Sequence, residues 1–107
     1  AMTEFDNGLT KAEEEMLILT MEECSEVIKA CSKILRYGRH SPLMKENCFT
    51  SDSLREEAGD VVACFGVLVK NGFLSAEETN YNARSKLLRL KDPLQNHLHF
   101  ITPEMLP

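Results

Sequence analysis

The sequence predicts an all-α fold, a three-helix chain whose bundle is completed by oligomerisation. Two observations predict the helices. Three long segments each open with a Ser or Thr followed three residues later by Glu, and each stops at a Gly or Pro. Within the first segment, apolar residues recur at alternating spacings of three and four, the period of a helix face. The opening pairs are Thr10/Glu13, Ser53/Glu56 and Ser75/Glu78. In such a pair each residue's side chain satisfies the other's backbone N–H. The stops are Gly38 after Tyr37, Gly72 after Asn71 and Pro93 after Asp92. These signals place helices over residues 11–37, 54–71 and 76–91.

The first helix carries two stripes. Leu17, Met21, Cys24, Ile28, Cys31 and Leu35 form a continuous apolar seam along a rod about 40 Å long. This seam is expected to pack against another helix. A parallel stripe, Met16, Thr20, Glu23, Val27, Ala30 and Ile34, is apolar except where Glu23 interrupts it. The second helix is expected to be the most enclosed, because Asp60 is the one charged residue from Ala58 to Val69. A helix apolar on nearly every side needs neighbours all round, and three short helices do not easily supply them. At least a dimer is therefore expected, a homodimer or homotetramer. Residues 38–52 form a long polar connection, the kind that is functional or mobile. Residues 93–107 form an extended tail without helical period that either drapes over a neighbouring subunit or frays.

The bulk numbers fit one soluble domain over 1–107. The chain has 107 residues, 43% of them hydrophobic and 27% charged, enough apolar content to fill a core. Twelve basic against seventeen acidic residues give a net charge of −5. No basic stripe could neutralise a phosphate backbone, so a nucleic acid polymer is excluded as an expected partner, whereas a free nucleotide accompanied by metal ions is not. No apolar run reaches the roughly 18 residues of a membrane span, and no signal peptide is read. Cys24, Cys31, Cys48 and Cys64 form no CxxC pair and read as reduced thiols in a cytoplasmic setting. Ala1 ahead of Met2 reads as a cloning remnant.

The chemistry-bearing residues are two acidic strings, EECSE with Glu22, Glu23 and Glu26, and EEAGD with Glu56, Glu57 and Asp60. Glu23 and Glu26 share a helix face, as do Glu57 and Asp60. Both pairs lie at or inside an apolar stripe, where an ionised carboxylate is costly unless it is paired or binds a metal. Several hard oxygen donors facing one another fit Mg²⁺ or Mn²⁺. Other acids have simpler explanations: Glu13, Glu14, Glu15, Glu77 and Glu78 suit N-terminal helical turns, and Glu56 a cap. A di-iron carboxylate bundle would need a His three residues after a Glu, and none is present. His40, His97 and His99 lie in the connection or the tail.

With EExxE on one helix and ExxD on the next, in that order, the sequence resembles the MazG-like family of all-α nucleoside triphosphate pyrophosphatases, in particular short stand-alone versions often encoded by bacteriophages. The likeness covers roughly two thirds of the chain, and the wide separation of the two motifs departs from the family pattern in the connection. The resemblance implies that Glu23, Glu26, Glu57 and Asp60 bind the Mg²⁺ ions that grip a triphosphate, orient a water and lower its pKa, for attack at the α-phosphorus with release of pyrophosphate. Glu22, or a ligand itself, would accept the water's proton.

Lys29 and Lys33 on the first helix, and Asn82, Lys86 and Arg89 on the third, would complete a phosphate clamp, although solvated lysines on amphipathic helices explain them equally well. Phe49, Phe65, Tyr81 and Asn47 are candidates to contact a base, with dGTP or GTP ranked first. A phage-encoded member would work in the host cytoplasm. Two alternatives stand beside this reading: a phosphoribosyl-ATP pyrophosphohydrolase, and a non-enzymatic helical oligomerisation module whose acids bind a cation.

Overall fold

The structure, a computed structural model of the chain, describes residues 6–42, 49–90 and Glu104. It is all-α: α1 spans Lys11–Tyr37, α2 Thr50–Lys70 and α3 Ala76–Leu90. Among the described residues the β pairing amounts to one isolated antiparallel bridge, Pro42 with Phe49. No helix there is long and apolar enough to cross a membrane. The chain divides into two compact units, Ala1–Leu68 and Val69–Pro107.

The ends of α1 are those the sequence predicts. Thr10 Oγ1 accepts the Glu13 N–H at 3.1 Å while the Thr10 N–H donates to Glu13 Oε1 at 2.8 Å, a complete capping box. At the other end Gly38 adopts φ of +93°, a conformation that side chains disfavour, and its N–H donates to the Ile34 carbonyl at 2.8 Å.

The start of α2 is a correction. The helix begins at Thr50, four residues before the expected position, and Ser53 lies inside it with its N–H on the Phe49 carbonyl at 3.1 Å. Two interactions draw the start forward. Asp52 Oδ2 accepts the Phe49 N–H at 3.1 Å, the reciprocal bond expected of Glu56 toward Ser53. Thr50, fully buried, shares its hydroxyl proton between the Gly38 and Arg39 carbonyls, each at 2.7 Å. The backbone follows: the Thr50 and Ser51 N–H groups donate to the Ser41 and Arg39 carbonyls, both at 3.0 Å. The first N–H groups of a helix have no partner within it, and here the chain leaving α1 supplies them. His40 Nδ1 lies 3.2 Å from Ser51 Oγ, so it belongs to this junction.

Within the first unit α1 packs on α2, with Ala30 (2% exposed), Leu68 (6%) and Cys64 (7%) as the buried apolar residues. The stripe turned inward is the one that Glu23 interrupts: Met16, Thr20, Glu23, Val27 and Ile34 are half-buried and Ala30 is buried. In the seam expected to pack against another helix, Leu17 and Cys24 are half-buried while its other described residues stay exposed. Met21 is 71% exposed, Ile28 69% and Leu35 87%. Two adjacent stripes with one period are indistinguishable by spacing alone, so the sequence offers no means of choosing between them. On α2, expected to be the most enclosed helix, Val62, Phe65 and Val67 are exposed.

In the second unit, Gly72 takes φ of +81° in the turn after α2. The helix α3 opens with the Glu78 N–H donating to Ser75 Oγ at 3.3 Å, one half of the expected reciprocal pair. It ends at Leu90, with Lys91 of the expected helix outside the described residues. So are Asn47, Cys48, His97, His99 and, apart from Glu104, the tail after Pro93. Cys24, Cys31 and Cys64 carry free thiols.

Candidate functional site

Helical spacing explains how acids come to face one another in the first unit. On α1, Glu23 sits on the stripe turned toward α2. On α2, Glu57 and Asp60 are three residues apart and so share a face. One carboxylate oxygen from each of Glu23, Glu57 and Asp60 lies within 4.8 Å of the others. Glu23 and Glu57 are half-buried, whereas Asp60 is exposed, which corrects the expectation that Asp60 has no solvent-facing surroundings. Among the described residues, the enclosure inferred for it from the apolar run Ala58 to Val69 is not found.

Partial loss of water and crowding with other acids raise the pKa of two of these groups, Glu23 and Glu57. Glu23 is raised above the ordinary value of 4.5, first by partial removal from water, then by the charges of Asp60 and Glu57, a hydrogen bond with Asp60, and the charge of Glu26. Glu57 is raised likewise, first by loss of water, then by the charges of Asp60, Glu26 and Glu56 and a hydrogen bond with Asp60. A hydrogen bond between two carboxyl groups requires a proton on one of them. The cluster's donors are all carboxylate oxygens, with no cysteine or histidine among them. That donor set fits a hard divalent ion such as Mg²⁺ or Mn²⁺.

The other acids of the two strings are placed differently. Glu26 is near enough for its charge to raise both Glu23 and Glu57, yet its Oε1 accepts from Lys29 Nζ at 3.2 Å and it is not one of the three converging groups. Glu22 is exposed on α1. Of the basic candidates on α1, Lys29 is committed to Glu26, and Lys33, one turn further on, is half-buried. Asn82, Lys86 and Arg89 share an exposed face of α3, in the second unit. Of the aromatic candidates, Phe49, Phe65 and Tyr81 are all exposed.

One feature of the first unit escapes a reading confined to charged residues. An open, largely apolar groove of about 350 Å³ runs between α1 and α2, lined by Ala12, Glu15, Met16, Leu19 and Thr20 of the first helix and Ala63, Cys64 and Val67 of the second. Thr20 and Ala63 precede and follow Glu23 and Asp60 by three residues, so the groove begins one helical turn from the acids. The signal was present in the pattern: the same stripe that carries Glu23 continues toward Met16, and its partner on α2 runs from Asp60 toward Val67.

No known protein family model, curated protein or solved structure matches this chain.

Proposed function

We propose that the chain is a divalent-cation-dependent hydrolase that splits a (deoxy)nucleoside triphosphate, with dGTP or GTP the first substrates to test, into the monophosphate and pyrophosphate. One observation carries the reading: Glu23 from α1 and Glu57 and Asp60 from α2 bring carboxylate oxygens within 4.8 Å of one another at a partly desolvated helix junction. Like charges gathered in this way favour a cation between them. The ordered strings EECSE and EEAGD, which resemble those of MazG-like pyrophosphohydrolases, add the triphosphate as the substrate class.

Glu23, Glu57 and Asp60 would hold Mg²⁺ or Mn²⁺, with Glu26 as a further ligand. Bound there, the cation supplies positive charge to the triphosphate and acidity to an attacking water. Glu22 is our candidate to accept the proton that the water loses. Lys33 adds charge for a phosphate oxygen. The water oxygen bonds to the α-phosphorus. The bond from that phosphorus to the bridging oxygen breaks, and the oxygen departs with pyrophosphate.

The same proposal extends to assembly as a homodimer or homotetramer. Met21, Ile28 and Leu35 on α1 and Val62 on α2 are each more than two-thirds exposed in one copy. An apolar surface of that kind is costly in water, and a second copy of the chain is the partner always present.

Incubation with Mg²⁺ and individual nucleoside triphosphates, with pyrophosphate and orthophosphate measured separately, tests the activity. The expected products are monophosphate and pyrophosphate in equal amounts, lost on chelation. Asp60→Asn should lower the rate on the order of a thousandfold while the helical circular-dichroism signal is kept. Undiminished pyrophosphate release by that variant, or orthophosphate from the unaltered chain, counts against the reading.

A further inference from the structure

We propose that Lys29 is a positioning residue that holds the Glu26 carboxylate in reserve beside the Glu23, Glu57 and Asp60 group, releasing it to join that group when a divalent cation arrives. The inference rests on the cation-dependent reading above and concerns the regulation of that same site. Two observations motivate it. Glu26 stands close enough to act electrostatically on Glu23 and on Glu57. Its Oε1 is nevertheless bonded to Lys29 Nζ at 3.2 Å, and the group of oxygens within 4.8 Å of one another does not include it.

The charge balance explains the arrangement. With three carboxylates already together, a fourth turned inward would add repulsion with nothing to offset it. Lys29, one helical turn along α1, offers Glu26 a counter-charge on the outer side instead. A divalent cation reverses the preference, because its two positive charges and its demand for several oxygen ligands outweigh one solvated ammonium. The pair is itself weak enough to yield: Lys29 is 66% and Glu26 44% exposed at the side chain, and exposed pairs of this type are readily broken. When Glu26 leaves, the Lys29 ammonium is released from the carboxylate it holds.

Lys29 therefore competes with the cation for Glu26, and removing it should tighten cation binding through Glu26 alone. The test is Mn²⁺ affinity, measured by calorimetric titration without nucleotide, in a cycle of Lys29→Met, Glu26→Gln and the double variant. Lys29→Met should bind Mn²⁺ about two- to fivefold more tightly than the unaltered chain, and Lys29→Arg, which keeps a cation within reach of Glu26, should restore the original affinity. In the Glu26→Gln background the gain from Lys29→Met should disappear. An equal gain in both backgrounds means that Lys29 acts only as a nearby positive charge, and overturns the proposal while leaving the metal reading intact. Absence of Mn²⁺ binding by the unaltered chain overturns both.

Discussion

Glu23 and Glu57 each take up a proton more readily in the folded chain than in the unfolded one, for the same reasons: partial loss of water and the neighbouring carboxylates. A carboxyl raised in this way contributes stability that is fully present below its unfolded value and is lost as pH rises through the raised one. The cluster thus works against the fold at neutral pH unless a cation offsets it. Without divalent ions, the unaltered chain should lose stability relative to Glu57→Gln as pH rises from about 4 to about 7. Mg²⁺ should raise the melting temperature more at about pH 8 than at about pH 5, since protons compete for the same oxygens. Thermal melts with and without Mg²⁺ read both effects, and an equal Mg²⁺ shift at the two pH values would show that the ion acts elsewhere. That Glu23 is the single acid in an otherwise apolar stripe was legible in the sequence, but that this stripe is the one turned toward α2 was not. Nor was the direction of Glu26. A glutamate with a lysine three residues away has two places to point, and only the surrounding charges decide between them.

At the scale of elements, the start of α2 shows how a contact between distant residues overrides a local signal. Ser53 and Glu56 form a plausible capping pair by spacing, yet the helix begins at Thr50 because Asp52 answers the Phe49 N–H and the Gly38 and Arg39 carbonyls receive the Thr50 hydroxyl. A phenylalanine does not announce a helix start, and the carbonyls that anchor Thr50 lie at the far end of the connection, eleven and twelve residues away. Thr50→Val should therefore cost about 1–3 kcal/mol, the loss expected when a buried hydroxyl no longer serves its partners. Ser53→Ala should change stability by about 0.5 kcal/mol or less, because it removes no cap and alanine suits a helix interior. Urea midpoints of the two variants separate the alternatives, and the reverse ranking would return the helix start to Ser53. By contrast, α1 was legible at both ends, since its capping box and its Gly38 stop are formed within the helix and its flanks.

At the scale of the whole molecule, the apolar content of the helices was legible but its distribution was not. Which of two stripes on α1 meets α2 depends on partners that the spacing does not name, and the stripe containing Met21, Ile28 and Leu35 is left exposed. Under the proposed assembly, Ile28→Glu should shift the chain toward monomer without loss of helix, because Ile28 is exposed in the single copy and a charge there opposes only association. Sedimentation equilibrium reads the change, and an unaltered mass would direct attention to another face. The central claim, that two helices of this chain hold a divalent ion between their carboxylates, is tested most directly by anomalous diffraction from crystals grown with Mn²⁺ and a non-hydrolysable nucleotide. The account predicts an anomalous peak about 2.0–2.5 Å from oxygens of Glu23, Glu57 and Asp60, with the triphosphate against it. Three carboxylates free of any peak, with the nucleotide bound elsewhere on the chain, would contradict it.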